Sequence, residues 1–357
     1  MNKYRTSIVT KIDDQLINQW KQLWKRAENA SAFNSYEWFT SCLEVKQDKE
    51  YELYLCYKND ILVGILPLES YRQFGIKVLG TIFKEHHIDT PFLVESYDKE
   101  LFKHFFGFVF TGENIFLQKV DNKSTLILKK LFPDLFFSLM SVNPVVDLTQ
   151  DPFAATHHST VKQMKKILRT NPDTFRLAVY HDDLEKHIKE IFKLEEKSSK
   201  KTRSMDIFSH KENRDFYLTV IKNCKDMVRI CFLYFNDLPV AYQYGYVFGN
   251  RFVGDQIAYR NEYSKLRPGK LIIYLLLNFL KEENFTMFDL GGGISTYKTE
   301  FTDKYRLLYN VYYSNNPIIV FWWKLINTIR RKKQILFPMK NTRDHEFLFR
   351  TNLEEEK

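Results

Sequence analysis

Cysteine is scarce, with Cys42, Cys56, Cys224 and Cys231 the only four among 357 residues. They lack the close pairing of a zinc site and the density of a disulfide scaffold, so they read as small buried hydrophobes. Also missing is any apolar run of the roughly 18 residues that a membrane-spanning helix needs. The best attempt, Pro317 to Trp323, is cut short by Lys324. The opening Met1-Asn2-Lys3-Tyr4-Arg5 shows no apolar signal core and no cleavage pattern, which points to a cytoplasmic protein. No low-complexity tract and no repeat by residue identity is found. Acidic residues are absent from one late stretch that holds Lys324, Arg330, Arg331, Lys332, Lys333 and Lys340.

What is present is an ordinary globular composition, 44% hydrophobic, with 31 Phe and 21 Tyr to fill cores. The length exceeds the roughly 100 to 200 residues of one domain, so two domains are expected. Asn143-Pro144 and Asp151-Pro152 punctuate the chain, because proline removes a donor and pushes its predecessor out of helical geometry. The expected division is 1–150, 151–316 and a basic aromatic tail, 317–357.

The first half reads as mixed α and β. Leu16, Trp20, Leu23 and Trp24 recur at helical spacing, and Ser35 is a good N-cap for a second helix. Tyr51 to Tyr57 and Ile61 to Glu69 alternate as hairpin strands about Lys58-Asn59-Asp60. In the second half, three strands at 228–235, 240–248 and 251–259 are joined by Asn236-Asp237 and Gly249-Asn250, dipeptides that tolerate positive φ. Arg267-Pro268-Gly269 then opens a helix over 270–283, a strand follows at 285–290, a short helix carries Tyr297-Lys298, and 306–313 closes as a final strand. The fold class expected is α+β, mixed α/β, with mostly antiparallel sheets flanked by helices.

This order is similar to the GNAT acyltransferase fold. More closely, the chain resembles the CelD-like branch of polysaccharide biosynthesis, related to the FemAB aminoacyltransferases. Pro268-Gly269, Phe288-Asp289-Leu290-Gly291, Tyr297-Lys298 and Phe301 carry the resemblance in the second half; Ala32-Phe33, Trp38 and Leu66-Pro67-Leu68 carry it in the first. It implies two tandem GNAT-like units and an acyl-CoA donor, acetyl-CoA or another, with no metal. The acceptor it implies is an amine or hydroxyl of a small molecule or saccharide. One departure is plain: the usual phosphate loop of the fold is richer in glycine.

The physics of the turn agrees with that comparison. A helix N-terminus offers unpaired N–H groups and partial positive charge to a pyrophosphate. Gly269 lets the phosphate approach, Arg267 and Lys270 add charge, and Pro268 and Leu271 complete the first turn. An ordinary helix start with Pro at its first position is the plain alternative.

Acyl transfer also needs a base and an acid. Glu195 and Glu196 continue the buried face set by Leu184, Ile188, Ile191 and Phe192, where desolvation would raise basicity; surface acids matched by lysines are the alternative. Asp289 ends a buried-looking strand and is either base, acceptor anchor or cap of the Gly291 turn. The resemblance puts Tyr297 and Lys298 in the site, as proton donor to the thiolate and holder of an anionic acceptor. Strand alternation places Asp255 and Tyr259 on one face beside the donor.

His86-His87 with Asp89, and His157-His158, point to opposite faces in strand geometry and are assigned no metal. Asp289-Leu290-Gly291-Gly292-Gly293 looks like a methyltransferase nucleotide loop, but too little chain follows it. Lys162, Lys165, Lys166 and Arg169 form a second basic cluster suited to an anionic partner or to a solvated face. Aminoacyl-tRNA as donor is therefore a rival to acyl-CoA, and DNA is not expected. A non-catalytic GNAT-like binding module is the third reading. Residues 318–337 suit either docking on the protein or peripheral contact with the inner face of a membrane.

Overall fold

The computed structural model describes residues 3–46, 50–73, 75–112, 114–202 and 206–336. Lys340, expected in the basic run, lies outside the described residues. Two compact units divide the chain, one formed by residues up to Val142 together with those from Arg306, the other by Asn143–Tyr305.

The first unit runs β1 (Tyr4–Val9), α1 (Asp14–Arg26), α2 (Tyr36–Val45), β2 (Tyr51–Lys58), β3 (Ile61–Gln73), β4 (Ile76–Thr81), β5 (Leu93–Val94), α3 (Lys99–Val109), β6 (Asn114–Asp121), α4 (Asn122–Leu131) and the start of β7 (Phe136–Asp147). Strands β1 to β4 pair antiparallel in sequence order, and the crossover through α3 then sets β6 parallel to β4. Asn59 and Asp60 take φ of 50° and 64° between β2 and β3, the positive values that a two-residue hairpin requires. Each of α1 to α4 starts on a polar cap. Asp13, Ser35, Asp98 and Asp121 accept from the amides of Leu16, Trp38, Leu101 and Ser124. Phe102, Phe105 and Phe106 of α3 pack with Leu66, Leu68 and Leu117 to form the core.

His87 and Asp89 do not stand on the strand expected from the sequence. Both are buried, in a turn rather than a strand. Asp89 accepts from Arg306 at 3.0 Å, and the His87 ring meets the edges of Phe33 and Trp38. Burial, and then the charge of Lys119, push the His87 imidazole down to about 4, so it stays neutral.

The second unit continues from Asn143 with α5 (His158–Thr170), β8 (Phe175–Tyr180), α6 (Leu184–Glu195), α7 (Ser199–Thr202), α8 (Lys211–Asn223), β9 (Val228–Phe235), β10 (Leu238–Phe248), β11 (Arg251–Tyr259), α9 (Pro268–Glu282) and β12 (Met287–Asp289). It repeats the plan of the first unit. Strands β8 to β11 pair antiparallel in order, and the crossover through α9 sets β12 parallel to β11. The expected hairpin residues Asn236, Asp237 and Gly249 all have positive φ. Both units are thus mostly antiparallel sheets flanked by helices.

Alternation along β10 assigns the two faces of this sheet. Ala241 and Val247 join Leu271, Ile272, Leu276 and Leu277 of α9 in one core. Tyr242, Tyr244 and Tyr246 are also buried, and the Tyr244 ring lies 5.1 Å from that of Tyr217 on α8.

After this unit come β13 (Tyr305–Ser314) and α10 (Pro317–Leu336). The sequence made 306–313 the closing strand of the second domain, but β13 runs antiparallel to β6, from Leu308 opposite Asp121 to Ser314 opposite Asn114. Its alternating residues fit that sheet, where Val311 enters the first core and Tyr312 meets Phe116 and Trp323. The expected second domain, 151–316, therefore gives up its last strand and gains 143–150.

Because α9 holds the second core, replacing the fully buried Leu276 by Ala is expected to lower the stability of this unit by about 2–5 kcal/mol. Urea unfolding followed by circular dichroism measures it. A loss below about 1 kcal/mol would contradict the packing described.

Candidate active site

Strands β11 and β12 are bonded only over Arg251–Met287, Phe252–Phe288 and Val253–Asp289. β11 then continues from Gly254 to Tyr259, while the other chain turns away at Gly291, where φ is 81°. A side chain at Gly291 is impossible in this geometry, since its Cβ would stand 2.3 Å from the Gly254 carbonyl oxygen. The strands part at this crossing. Among the described residues, no strand pairs with β11 beyond Val253 on that side, so its N–H and C=O groups there have no ladder partner from a strand.

At the far end of the open stretch stands the first turn of α9. A 3-10 turn, Asn261–Leu266, leads to Arg267, which caps the helix with φ of 51° and no side-chain cap bond. The amides of Lys270 and Leu271 bond to the Arg267 carbonyl at 3.0 and 3.1 Å. There is no acidic residue in this turn, in contrast to α3 of the first unit, where Asp98 and Glu100 occupy the same place. Gly269 packs under Tyr259, whose ring carbon would lie 3.1 Å from a Cβ there.

The expected donor residues do not all point the same way. Arg267 is exposed. Lys270 is not available to a phosphate as expected: its ammonium sits on Glu300 at 2.7 and 2.6 Å, and Thr160 donates to the same carboxylate at 2.6 Å. Burial raises the Glu300 carboxyl, but the hydrogen bonds from Lys270 and Thr160 outweigh it and hold the group below its ordinary value. The Leu271 side chain is wholly in the core. Glu300 and Thr160 went unnoticed in the sequence, where nothing marks two residues so far apart as partners.

Asp289 and Lys298 are both buried, and both grip the glycine turn. The Asp289 carboxylate accepts from the Gly291 amide at 2.8 Å and from Asn143 at 3.3 Å. Lys298 donates to the carbonyls of Gly291 and Gly292 at 3.0 and 2.9 Å. Tyr297 and Lys298 stand on a turn, not on the short helix expected. Burial pushes the Tyr297 phenol up to about 12, with a nearby Ser295 hydroxyl opposing the shift.

The acidic candidates separate clearly. Glu196 is exposed and pairs with Arg214 at 3.6 Å, because it follows the last residue of α6 and turns off the buried face. It is corrected to a surface acid. Glu195 is buried and accepts from the Tyr242 hydroxyl at 2.8 Å and the Phe208 amide at 3.3 Å, with Lys200 at 3.2 Å. From there a polar chain runs to the open strand. Lys200 donates to Gln256 at 2.9 Å, Gln256 to Asp255 at 3.0 Å, and the Tyr217 hydroxyl to Asp255 at 2.7 Å. Burial, and then the adjoining carboxylates, raise the Tyr217 and Tyr242 phenols well above their ordinary range, so both remain donors.

Asp255 and Tyr259 do not share a face as simple alternation predicts. Pairing steps from Tyr244–Gln256 to Gly245–Gly254, leaving Asp255 as the extra residue of a bulge. The bulge turns Asp255 toward Tyr217 of α8, while Tyr259 packs against α9.

An antiparallel meander, a bulge, a parallel pairing that ends early and a crossover helix with an acid-free start form a recognisable set. Residues 156–299 match the family model described as an acetyltransferase (GNAT) domain. The second unit has the GNAT fold. No curated protein matches the chain. Among solved structures, FemX is similar at 9% identity and a TM-score of 0.60, over 88% of this chain and 98% of its own. L-PGS from Bacillus licheniformis aligns at 13% identity and 0.52, over 87% and 95%. A Bacteroides thetaiotaomicron protein of unknown function aligns at 10% and 0.57, over 87% and 100%. These identities show a shared fold, GNAT-like. Among the described residues no His, Cys, Asp or Glu group in this GNAT domain is arranged to hold a metal ion.

The raised Tyr297 phenol keeps its proton through neutral pH. Its stabilising contribution is complete below the ordinary tyrosine value of about 10 and is lost as pH rises through about 12. A spectrophotometric titration of wild type minus Tyr297→Phe is expected to show no ionisation of this residue below about pH 10.5; an ordinary midpoint near 10 would refute its burial.

Proposed function

We propose that the GNAT domain moves an acyl group from an acyl-CoA to an amine or hydroxyl of a cell-envelope or polysaccharide-related acceptor. The observation that carries this reading is the end of the β11–β12 pairing at Val253, with the acid-free start of α9 following β11. A pyrophosphate held there meets helix amides and the exposed Arg267, with no competing carboxylate in the turn.

The acceptor nitrogen or oxygen attacks the thioester carbonyl carbon, and the carbon–sulfur bond breaks. An N–H on the open edge of β11 supports the oxyanion. Asp255, half-buried and fixed by Tyr217 and Gln256, receives the acceptor's proton. Tyr297 supplies a proton to the departing thiolate, since its phenol is protonated at working pH. Asp289 and Lys298 act as positioning residues through the glycine turn, and Glu195 through Lys200.

Arg267→Glu is expected to raise the KM for acyl-CoA at least tenfold, about 1.4 kcal/mol of donor binding, with a smaller change in kcat. Unchanged KM would remove the donor from this corner.

A second donor is favoured by α5. His158, Lys162, Lys165, Lys166 and Arg169 are all exposed, recur at helical spacing and share their helix with no acid. Such a stripe, with the FemAB resemblance, suits aminoacyl-tRNA. If tRNA is the donor, Lys165→Glu with Lys166→Glu is expected to flatten the slope of log binding constant against log salt by about one per lost phosphate contact. A slope unaltered by the pair would leave acyl-CoA as the donor.

A further inference from the structure

Helix α10 has two apolar faces, and only one of them is covered. Trp323 is fully buried against Val78, Phe116 and Tyr312, with Ile319 packed beside it. That contact anchors the helix on the first unit. Ile318, Phe321, Trp322 and Ile329 are 64%, 60%, 50% and 46% exposed. With the partly exposed Leu325, they follow the spacing i, i+3, i+4, i+7 and i+11, one continuous stripe on the side away from Trp323.

This stripe is not scattered surface hydrophobicity. Ile8, Ile61, Leu126 and Met140 are the other strongly exposed large hydrophobics among the described residues, and each stands on a different element. Leaving Phe and Trp in water is unfavourable, and a helix already anchored by Trp323 has no need of a second apolar face. The charge around the stripe identifies what covers it. Between Asp303 and Asp344 the sequence has no acidic residue, while Lys324 and the run Arg330-Arg331-Lys332-Lys333 fall in or beside the helix. Among the described residues no helix is long and apolar enough to cross a membrane.

We propose that α10 is an interfacial helix that lays Ile318, Phe321, Trp322, Leu325 and Ile329 into the headgroup region of an anionic bilayer. The aromatic side chains enter the boundary between headgroups and acyl chains, and the basic residues meet the lipid phosphates. A second copy of this chain would match the apolar stripe equally well, but the concentrated positive charge would repel its own image. The bilayer satisfies both features at once. The inference is independent of the transfer reaction, because none of these side chains belongs to the GNAT domain.

The test is flotation of the full chain with vesicles of phosphatidylcholine alone and of phosphatidylcholine containing phosphatidylglycerol. The full chain is expected to float at least tenfold more with the anionic vesicles, and added salt is expected to weaken that binding. Phe321→Ser with Trp322→Ser is expected to cut anionic flotation at least tenfold, and Ile318→Ser to cut it less. All these side chains are exposed, so thermal unfolding of the variants should match wild type, which separates loss of binding from loss of fold. Failure to float with anionic vesicles overturns the proposal, as does equal flotation of wild type and the double variant. A concentration-dependent dimer in sedimentation velocity, abolished by the same substitutions without any flotation, assigns the stripe to a second copy and overturns it as well.

Discussion

The contact on which the candidate site depends is the one between Gly291 and the carbonyl of Gly254. A left-handed residue without a Cβ lets the chain cross close over β11 and leave the sheet. Pairing with β12 ends at that crossing, and among the described residues no other strand takes its place beyond it. Asp289 holds the turn by its amide and Lys298 holds it by its carbonyls, so a buried anion and a buried cation are both satisfied by backbone. Glu300 then joins the next turn to the first turn of α9 through Lys270, and to α5 through Thr160. Rigid support of this kind is what positions a reacting carbonyl well enough for orientation to matter.

The two units share a plan and differ at the place that counts. Each builds an antiparallel meander and a crossover helix to a parallel strand. In the first, Asp98 caps the crossover helix and Glu100 stands in its first turn, so the helix end is already neutralised by carboxylates. In the second, Arg267 stands where that aspartate would be. The same backbone therefore presents opposite charge at its helix start, and only one of the two is suited to an anion.

Much of this was legible in the sequence because the signals are local. Asn59-Asp60 and Asn236-Asp237 declare their hairpins by residue type, Ser35 declares a helix start, and Pro268-Gly269 declares the start of α9. What escaped depends on distance or on a single inserted residue. Lys270 reads as a phosphate ligand until Glu300 is found beside it. Asp255 and Tyr259 read as neighbours on one face until the bulge at Asp255 reverses the count. Glu195 and Glu196 carry the same chemistry, and only the end of α6 decides that one is buried and the other exposed. The stretch 306–313 reads correctly as a strand, but no local pattern tells which sheet it joins.

That last strand has a consequence for the order in which the molecule can be completed. β13 lies beyond the GNAT domain in the chain, yet it covers β6 of the first unit. The first unit is thus written in two pieces, with the whole catalytic candidate spliced between them. As the polypeptide leaves the ribosome, the strand edge of β6 waits uncovered until the inserted domain has emerged in full. An exposed strand edge invites foreign pairing, so rapid closure of the inserted domain shortens the interval during which the nascent chain is vulnerable.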